Sequence, residues 1–268
     1  MASAQVVSRS GSGRALAAVS ALLFVASTAA TIAGCASMAA MDGMPMPGGW
    51  SMSMAWMRMP GRTWFGAAAA FLAMWTVMMV AMMMPSLAPV LRRYRKAVAG
   101  AGGTRPGALA ARVGAGYFLA WAGLGLAVFP VGTALADLEM RLPALARTVP
   151  ALSGVVVLAA GALQFTAWKA HHLACCRQAP GCGRRVPPDP AVAWRHGMRL
   201  GLHCIRCCLG QMTVLLVLGV MDLRAMAVVT VAITLERLAP AGDRVARALG
   251  AVGVGVGLVL VARAIAVP

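Results

Sequence analysis

The chain reads as an all-α protein, a polytopic bundle of transmembrane helices. Three observations predict this. Of its 268 residues, 60% are hydrophobic and only 12% are charged, and a mean hydropathy of +0.79 does not suit a soluble domain. Apolar runs of about 20 residues recur, each long enough to cross the ~30 Å hydrocarbon layer as a helix. The arginines gather in the segments between those runs. In lipid every backbone group must pair internally, which favours helices. The repeated alternating segments of a β-barrel are not seen. A formal net charge of +17 would suggest nucleic acid in a soluble protein. Between apolar runs, the same arginines are expected to face anionic lipid headgroups, and no nucleic-acid partner is expected.

Seven spans are predicted: Ala15–Gly34, Trp64–Leu91, Val113–Leu135, Val149–Trp168, Leu200–Val220, Leu223–Leu238 and Leu249–Ala266. The sixth is short and carries Glu236, so the count falls to six if it does not cross. Residues 1–63 are expected to form an N-terminal helix plus a Met-rich outer loop, and residues 64–268 the transmembrane domain. Abundant Gly and Ala favour close helix approach. Arg92, Arg93, Arg95, Lys96, Arg105 and Arg112 follow the second span. Lys169, Arg177, Arg184, Arg185, Arg195 and Arg199 follow the fourth. The positive-inside rule places both basic loops and the N-terminus in the cytoplasm, as in a multi-pass protein of a bacterial inner membrane. The first segment also ends Ile32-Ala33-Gly34-Cys35, which resembles a lipoprotein cleavage box. A retained helix is the expectation, because the segment is long for a signal peptide.

Ten of the eleven cysteines and histidines lie between Trp168 and Met212. Thiolate and imidazole are soft and borderline ligands for copper(I) and zinc. Cys204, Cys207 and Cys208 are spaced to share one helix face, with Met212 a turn further and His203 at its edge. His172, Cys175 and Cys176 repeat that spacing if the fourth span runs on to Arg177. An antiparallel pair of spans would bring the two runs together at the cytoplasmic surface, where thiols stay reduced. His171 is expected to be interfacial. Cys182 and His196 are extra donors that no spacing supports.

Methionine is the second anomaly. Met74, Met78 and Met82 form an i, i+4, i+8 stripe, and Met38, Met41, Met44, Met46, Met52, Met54, Met57 and Met59 crowd the outer loop. Thioethers bind copper(I) where thiols would oxidise, although Met is also a common core filler. Asp222 reads as a helix end, and Glu236 as an ion pair with its neighbour Arg237. No phosphate-binding Gly loop, G-x-S-x-G or H-E-x-x-H motif occurs, and no enzymatic activity is expected.

The blocks Met74-Trp75, Met78-Met79-Val80-Ala81-Met82-Met83-Met84-Pro85 and Pro89 begin a wider pattern. It continues with Lys169, Leu173, Cys176-Arg177 and Pro180, then Gly201-Leu202-His203-Cys204, Cys207-Cys208 and Met212. Gly219-Val220-Met221-Asp222-Leu223, Met226 and Glu236-Arg237-Leu238 complete it. Over roughly residues 64–240 the chain resembles a bacterial family of metal-binding integral membrane proteins, domain of unknown function 2182. The resemblance implies a polytopic helical protein with a metal site and no proven activity. The family usually has Cys where this chain has His172, which lowers the softness of the site and keeps zinc as the alternative to copper(I). The leading expectation is a copper(I)-handling membrane protein, with a metallochaperone or another membrane protein as partner. A thiol–disulfide oxidoreductase using Cys204-x-x-Cys207 and a non-catalytic assembly factor are the rivals.

The loop charges make a topological prediction. A reporter active only outside the cytoplasm should be silent when fused after Arg95 or Arg184 and active after Gly48. Activity at Arg184 would invert the arrangement and expose the thiols to an oxidising compartment.

Overall fold

A computed structural model describes residues 2–41, 43–57, 61, 63–178 and 187–266, with backbone alone for residues 2–13 and 178. The elements among these are α1 (Ala2–Ala39), β1 (Met44–Met46), β2 (Trp50–Met52), α2 (Trp64–Gly100), α3 (Pro106–Arg141), α4 (Pro143–Leu163), α5 (Ala167–Gln178), α6 (Pro190–Cys207), α7 (Leu209–Gly219), α8 (Leu223–Leu238) and α9 (Gly242–Ala266). The all-α class therefore holds. Arg14–Ala39 of α1, together with α2, α3, α4 and α9, is long and apolar enough to cross a membrane. Leu22, Phe65, Leu126, Val155 and Val252 point outward from these helices and are exposed, as suits an apolar surrounding.

The span expectation is corrected at two places, while α8 keeps the bounds of the predicted sixth span, 16 residues or about 24 Å of helix against a layer of about 30 Å. The predicted fifth span is two helices, α6 and α7, bent by 64° at Cys208. Together they make a sixth candidate crossing only if counted as one broken span. The reason lies in α6, which buries Ala193, Gly197, Leu200, Gly201, Cys204 and Cys207 while Arg195, Arg199 and Arg206 face outward. That is an amphipathic helix lying on a neighbour. Asp189 starts it, accepting from the N–H groups of Ala191 and Val192 at 2.8 and 2.9 Å. The fourth span stops at Leu163 rather than Trp168. The chain turns through Gln164–Thr166, and Thr166 Oγ1 accepts from the Lys169 N–H at 3.2 Å to start α5. The first Cys/His run thus occupies its own short helix.

Glycine sets the helix spacing. At the α3–α6 crossing, a Cβ on Gly201 would lie 2.8 Å from the Tyr117 carbonyl oxygen, and one on Gly116 2.7 Å from that of Trp194. At the α4–α9 crossing, a Cβ on Gly161 would lie 2.6 Å from the Val254 nitrogen. Such contacts let backbones approach where lipid offers no hydrophobic drive. α2 runs through the centre, packing against α1, α3 and α8, and buries Trp75, Met78, Met79, Met82, Met83 and Leu87.

The Met-rich loop departs from its expected exposure. β1 and β2 pair as a hairpin, Met44 with Met52 and Met46 with Trp50. Trp50 Nε1 donates to the Ala146 carbonyl at 2.9 Å. Met46 and Met52 are buried there with Ala136 and Ala146, while Met41 and Met44 stay exposed. Strand alternation puts Met44, Met46, Trp50 and Met52 on one face, and of these methionines Met46 and Met52 are covered. Met38, Met54 and Met57 are half-buried, and Met59 lies outside the described residues.

The glycine crossing is testable. Gly161→Leu should lower the stability of the detergent-purified protein by about 1–3 kcal/mol or more, because a backbone atom blocks the new side chain. Gly255→Leu, with nothing within 4 Å of its Cβ position, should shift the thermal midpoint by less than about 0.5 kcal/mol equivalent. Equal midpoints for the two variants would refute the α4–α9 contact.

Candidate metal centre

The site is built around a buried ion pair. Lys169 of α5 and Glu236 of α8 meet at 2.6 Å (Nζ–Oε2), with side chains 3% and 1% exposed. Glu236 also accepts from Gln211 Nε2 at 2.6 Å and Gln164 Nε2 at 3.2 Å. Lys169 Nζ donates in addition to the Cys207 carbonyl at 2.5 Å. A helix that ends leaves carbonyls without intrahelical partners, and here an ammonium answers one at the bend between α6 and α7. The expected pairing of Glu236 with Arg237 is therefore corrected. Adjacent residues on a helix point about 100° apart, so the two diverge. Arg237 Nη1 donates to Ser86 Oγ at 2.8 Å and lies 3.4 Å from both Tyr117 Oη and Cys204 Sγ. Arg177 closes the end of α8, donating to the carbonyls of Glu236 and Pro240 at 2.7 and 3.0 Å.

The bend gathers sulfur. The Sγ atoms of Cys204, Cys207 and Cys208 all lie within 4.8 Å of one another. Cys208 stands 3.8 Å from Cys204 and 3.6 Å from Cys207. Tyr117 Oη donates to Cys204 Sγ at 2.9 Å, and Met83 Sδ lies 4.0 Å from the same sulfur. Cys176 arrives from α5 against Cys207. That contact, followed by burial, pushes the Cys176 thiol up. All four are free thiols, each 1% exposed or less. The cluster is therefore buried within the protein. Three thiolates bonded at about 2.3 Å would stand about 4.0 Å apart around a trigonal ion, and four about 3.8 Å apart around a tetrahedral one. The two separations that involve Cys208, 3.8 and 3.6 Å, are close to these values. Among the described residues no carboxylate oxygen belongs to the group.

Among the described residues, neither the predicted histidines nor Cys175 belong to this three-sulfur group. His172 and His203 face each other with ring centroids 5.9 Å apart. Burial, then the charges of His171 and Arg206, push the His172 imidazole down toward its neutral form. Cys175 is half-buried, with Sγ 3.8 Å from His171 Nε2. Met212 is buried one turn beyond Cys208, across the bend. Of the stripe, Met78 and Met82 are buried in the core. Met74 is half-buried beside Gly34 of α1. His196 stacks on Tyr94 at 5.3 Å, and Cys182 lies outside the described residues. Asp222 starts α8, accepting from the N–H groups of Arg224 and Ala225 at 2.7 and 3.1 Å.

Sequence reasoning passed over Met83, Lys169, Tyr117 and Arg237 as parts of the site. Met83 lies between two other methionines, and only its rotation about α2 distinguishes it. Its line with Trp75, Met79 and Leu87, each 2% exposed or less, was the available signal. Lys169 was read as one charge of a basic loop, although a lone lysine next to an apolar run also fits a buried charge.

A family model described as PpoB2, copper chaperone, matches residues 72–260, from within α2 into α9. No curated protein and no solved structure matches the chain.

Lys169→Met and Glu236→Gln should each cost about 3–5 kcal/mol, because each strands a buried charge or its partners. The Lys169→Met/Glu236→Gln variant should lose clearly less than the two single losses added together. Additive losses in chemical unfolding would show that the two groups are not coupled.

Proposed function

The chain belongs to the PpoB2 copper chaperone family, and from that premise we propose that it carries copper(I) within a bacterial inner membrane. The observation that supports this most is the group of three buried thiols, with Cys176 beside it and no carboxylate in it. A buried all-sulfur donor set suits a soft cation, and Met83 adds a neutral thioether that copper(I) accepts and zinc does not seek. Each thiol that binds gives up its proton. Arg237, 3.4 Å from Cys204 Sγ, supplies a fixed positive charge that stabilises the thiolate left behind.

In this reading α2 leads the ion inward. Met74 lies at α1, Met78, Met79 and Met82 line the core, and Met83 touches the thiol group. From Met74 to Met83 the helix rises about 13 Å, with a thioether at every turn. The basic loops place the thiol end toward the cytoplasm, where an acceptor protein takes the copper. A thiol–disulfide oxidoreductase is the weaker reading, because sulfurs 0–1% exposed offer nothing for a substrate disulfide to reach.

Elemental analysis of the purified protein is the test. The parent should hold copper, and the Cys204→Ser/Cys207→Ser/Cys208→Ser variant should lose most of it, because a hydroxyl is a poor ligand for a soft ion. Cys176→Ser and Met83→Leu should weaken binding without abolishing it. Replacing Met74, Met78 and Met82 with Leu should preserve the fold, as a volume-conserving change, yet reduce copper accumulation in cells and leave zinc untouched. Unchanged copper content in the triple Ser variant would sink the site, and unchanged accumulation in the Leu variant would sink the route.

A further inference from the structure

A carrier must also release its ion, and the thiol group has no opening. Cys176, Cys204, Cys207 and Cys208 are each 1% exposed or less. Handing over a soft ion requires an incoming donor to bind before the last outgoing donor leaves. Donors must therefore continue from the buried thiols to the surface.

Four side chains on α5 and α6 do continue in that direction. His172 is one turn before Cys176, and His203 adjoins Cys204, one turn before Cys207. The two rings face each other across the helix pair at 5.9 Å. His172 is 8% exposed, and Trp168 packs edge-on against it at 4.7 Å. Buried Nδ1 atoms of both His172 and His203 have no hydrogen-bond partner among the described residues. A buried polar atom without a partner costs about 1–3 kcal/mol, and one on each of two neighbouring rings marks a place prepared for something else. Further out, the His171 ring lies 5.3 Å from that of His172, and its Nε2 lies 3.8 Å from Cys175 Sγ. His171 is exposed and Cys175 half-buried. No histidine nitrogen belongs to the three-thiol group itself.

We propose that His171, His172, His203 and Cys175 form a second, shallower soft-metal site through which copper(I) leaves the buried thiols for an acceptor. This rests on the copper-carrier reading. The imidazoles hold the ion less tightly than thiolates do. The outer pair, His171 and Cys175, is where an acceptor's thiol can join the coordination before the protein lets go.

The test uses full-length protein in detergent, loaded anaerobically with one copper(I), and bathocuproine disulfonate as a coloured acceptor. The His171→Ala/Cys175→Ala and His172→Leu/His203→Leu variants should bind the parental amount of copper. They should surrender it at least about tenfold more slowly, a barrier rise of about 1.4 kcal/mol. The surface pair decides the matter if the buried double variant does not fold. Release at the parental rate would overturn the proposal. Loss of bound copper in either variant would overturn it too, by making these residues ligands of the buried site. Failure of the underlying reading looks different: the parent itself would take up no copper, or the triple Ser variant would take up as much as the parent.

Discussion

Lys169 brings a positive charge to a point that is 2% exposed, where an uncompensated ammonium could not persist. Glu236 neutralises it, Gln211 and Gln164 donate to the far oxygen of that carboxylate, and the Cys207 carbonyl accepts a second hydrogen bond from the ammonium. Four segments are tied by these contacts: the turn after α4, then α5, α7 and α8. The fifth participant, the end of α6, is a helix terminus that only a buried donor could satisfy. The bend at Cys208 and the gathering of thiols both follow from that satisfaction, because α6 can stop inside the protein only where its last carbonyls have partners.

α8 supplies two opposite charges from adjacent positions, and their divergence divides the labour. Glu236 serves the backbone at the bend. Arg237 turns toward Ser86 of α2, Tyr117 of α3 and Cys204 of α6. The carboxylate is thus kept away from the sulfurs and a guanidinium is held beside them. The fixed cation and the phenol donor beside Cys204 offset part of the cost of a buried thiolate there. The same short helix that is too short to cross a membrane is long enough to place both groups.

Helix spacing does the rest. Glycines at Gly116, Gly197 and Gly201 draw α6 against α3, which puts Tyr117 within 2.9 Å of Cys204. On the other side, α2 presents methionines, whose flexible thioethers fill an irregular core without fixing it rigidly. Packing alone would explain Met78, Met79 and Met82. It explains Met83 less well, since its sulfur lies 4.0 Å from the Cys204 thiol. The matched family region takes in α2 to α9 but leaves out α1 and the hairpin.

The sequence by itself determined the all-α class, the long apolar helices and the residue types of the metal centre, because helix propensity, hydropathy and ligand spacing are local properties. The i, i+3, i+4 run of Cys204, Cys207 and Cys208 was legible for that reason, and so was the likeness to a metal-binding family. Only the tertiary structure decided that α6 and α7 are separate helices, that Glu236 pairs with Lys169 and not Arg237, and that Met83 is the methionine at the thiols. The same holds for Met46 and Met52, which the hairpin turns inward. Each of these depends on a partner far away in the chain: 67 residues between Lys169 and Glu236, and 121 between Met83 and Cys204. A window of hydropathy averages over Cys207 and Cys208 and sees one apolar span. The break exists because a lysine from another helix accepts the cost of ending one there.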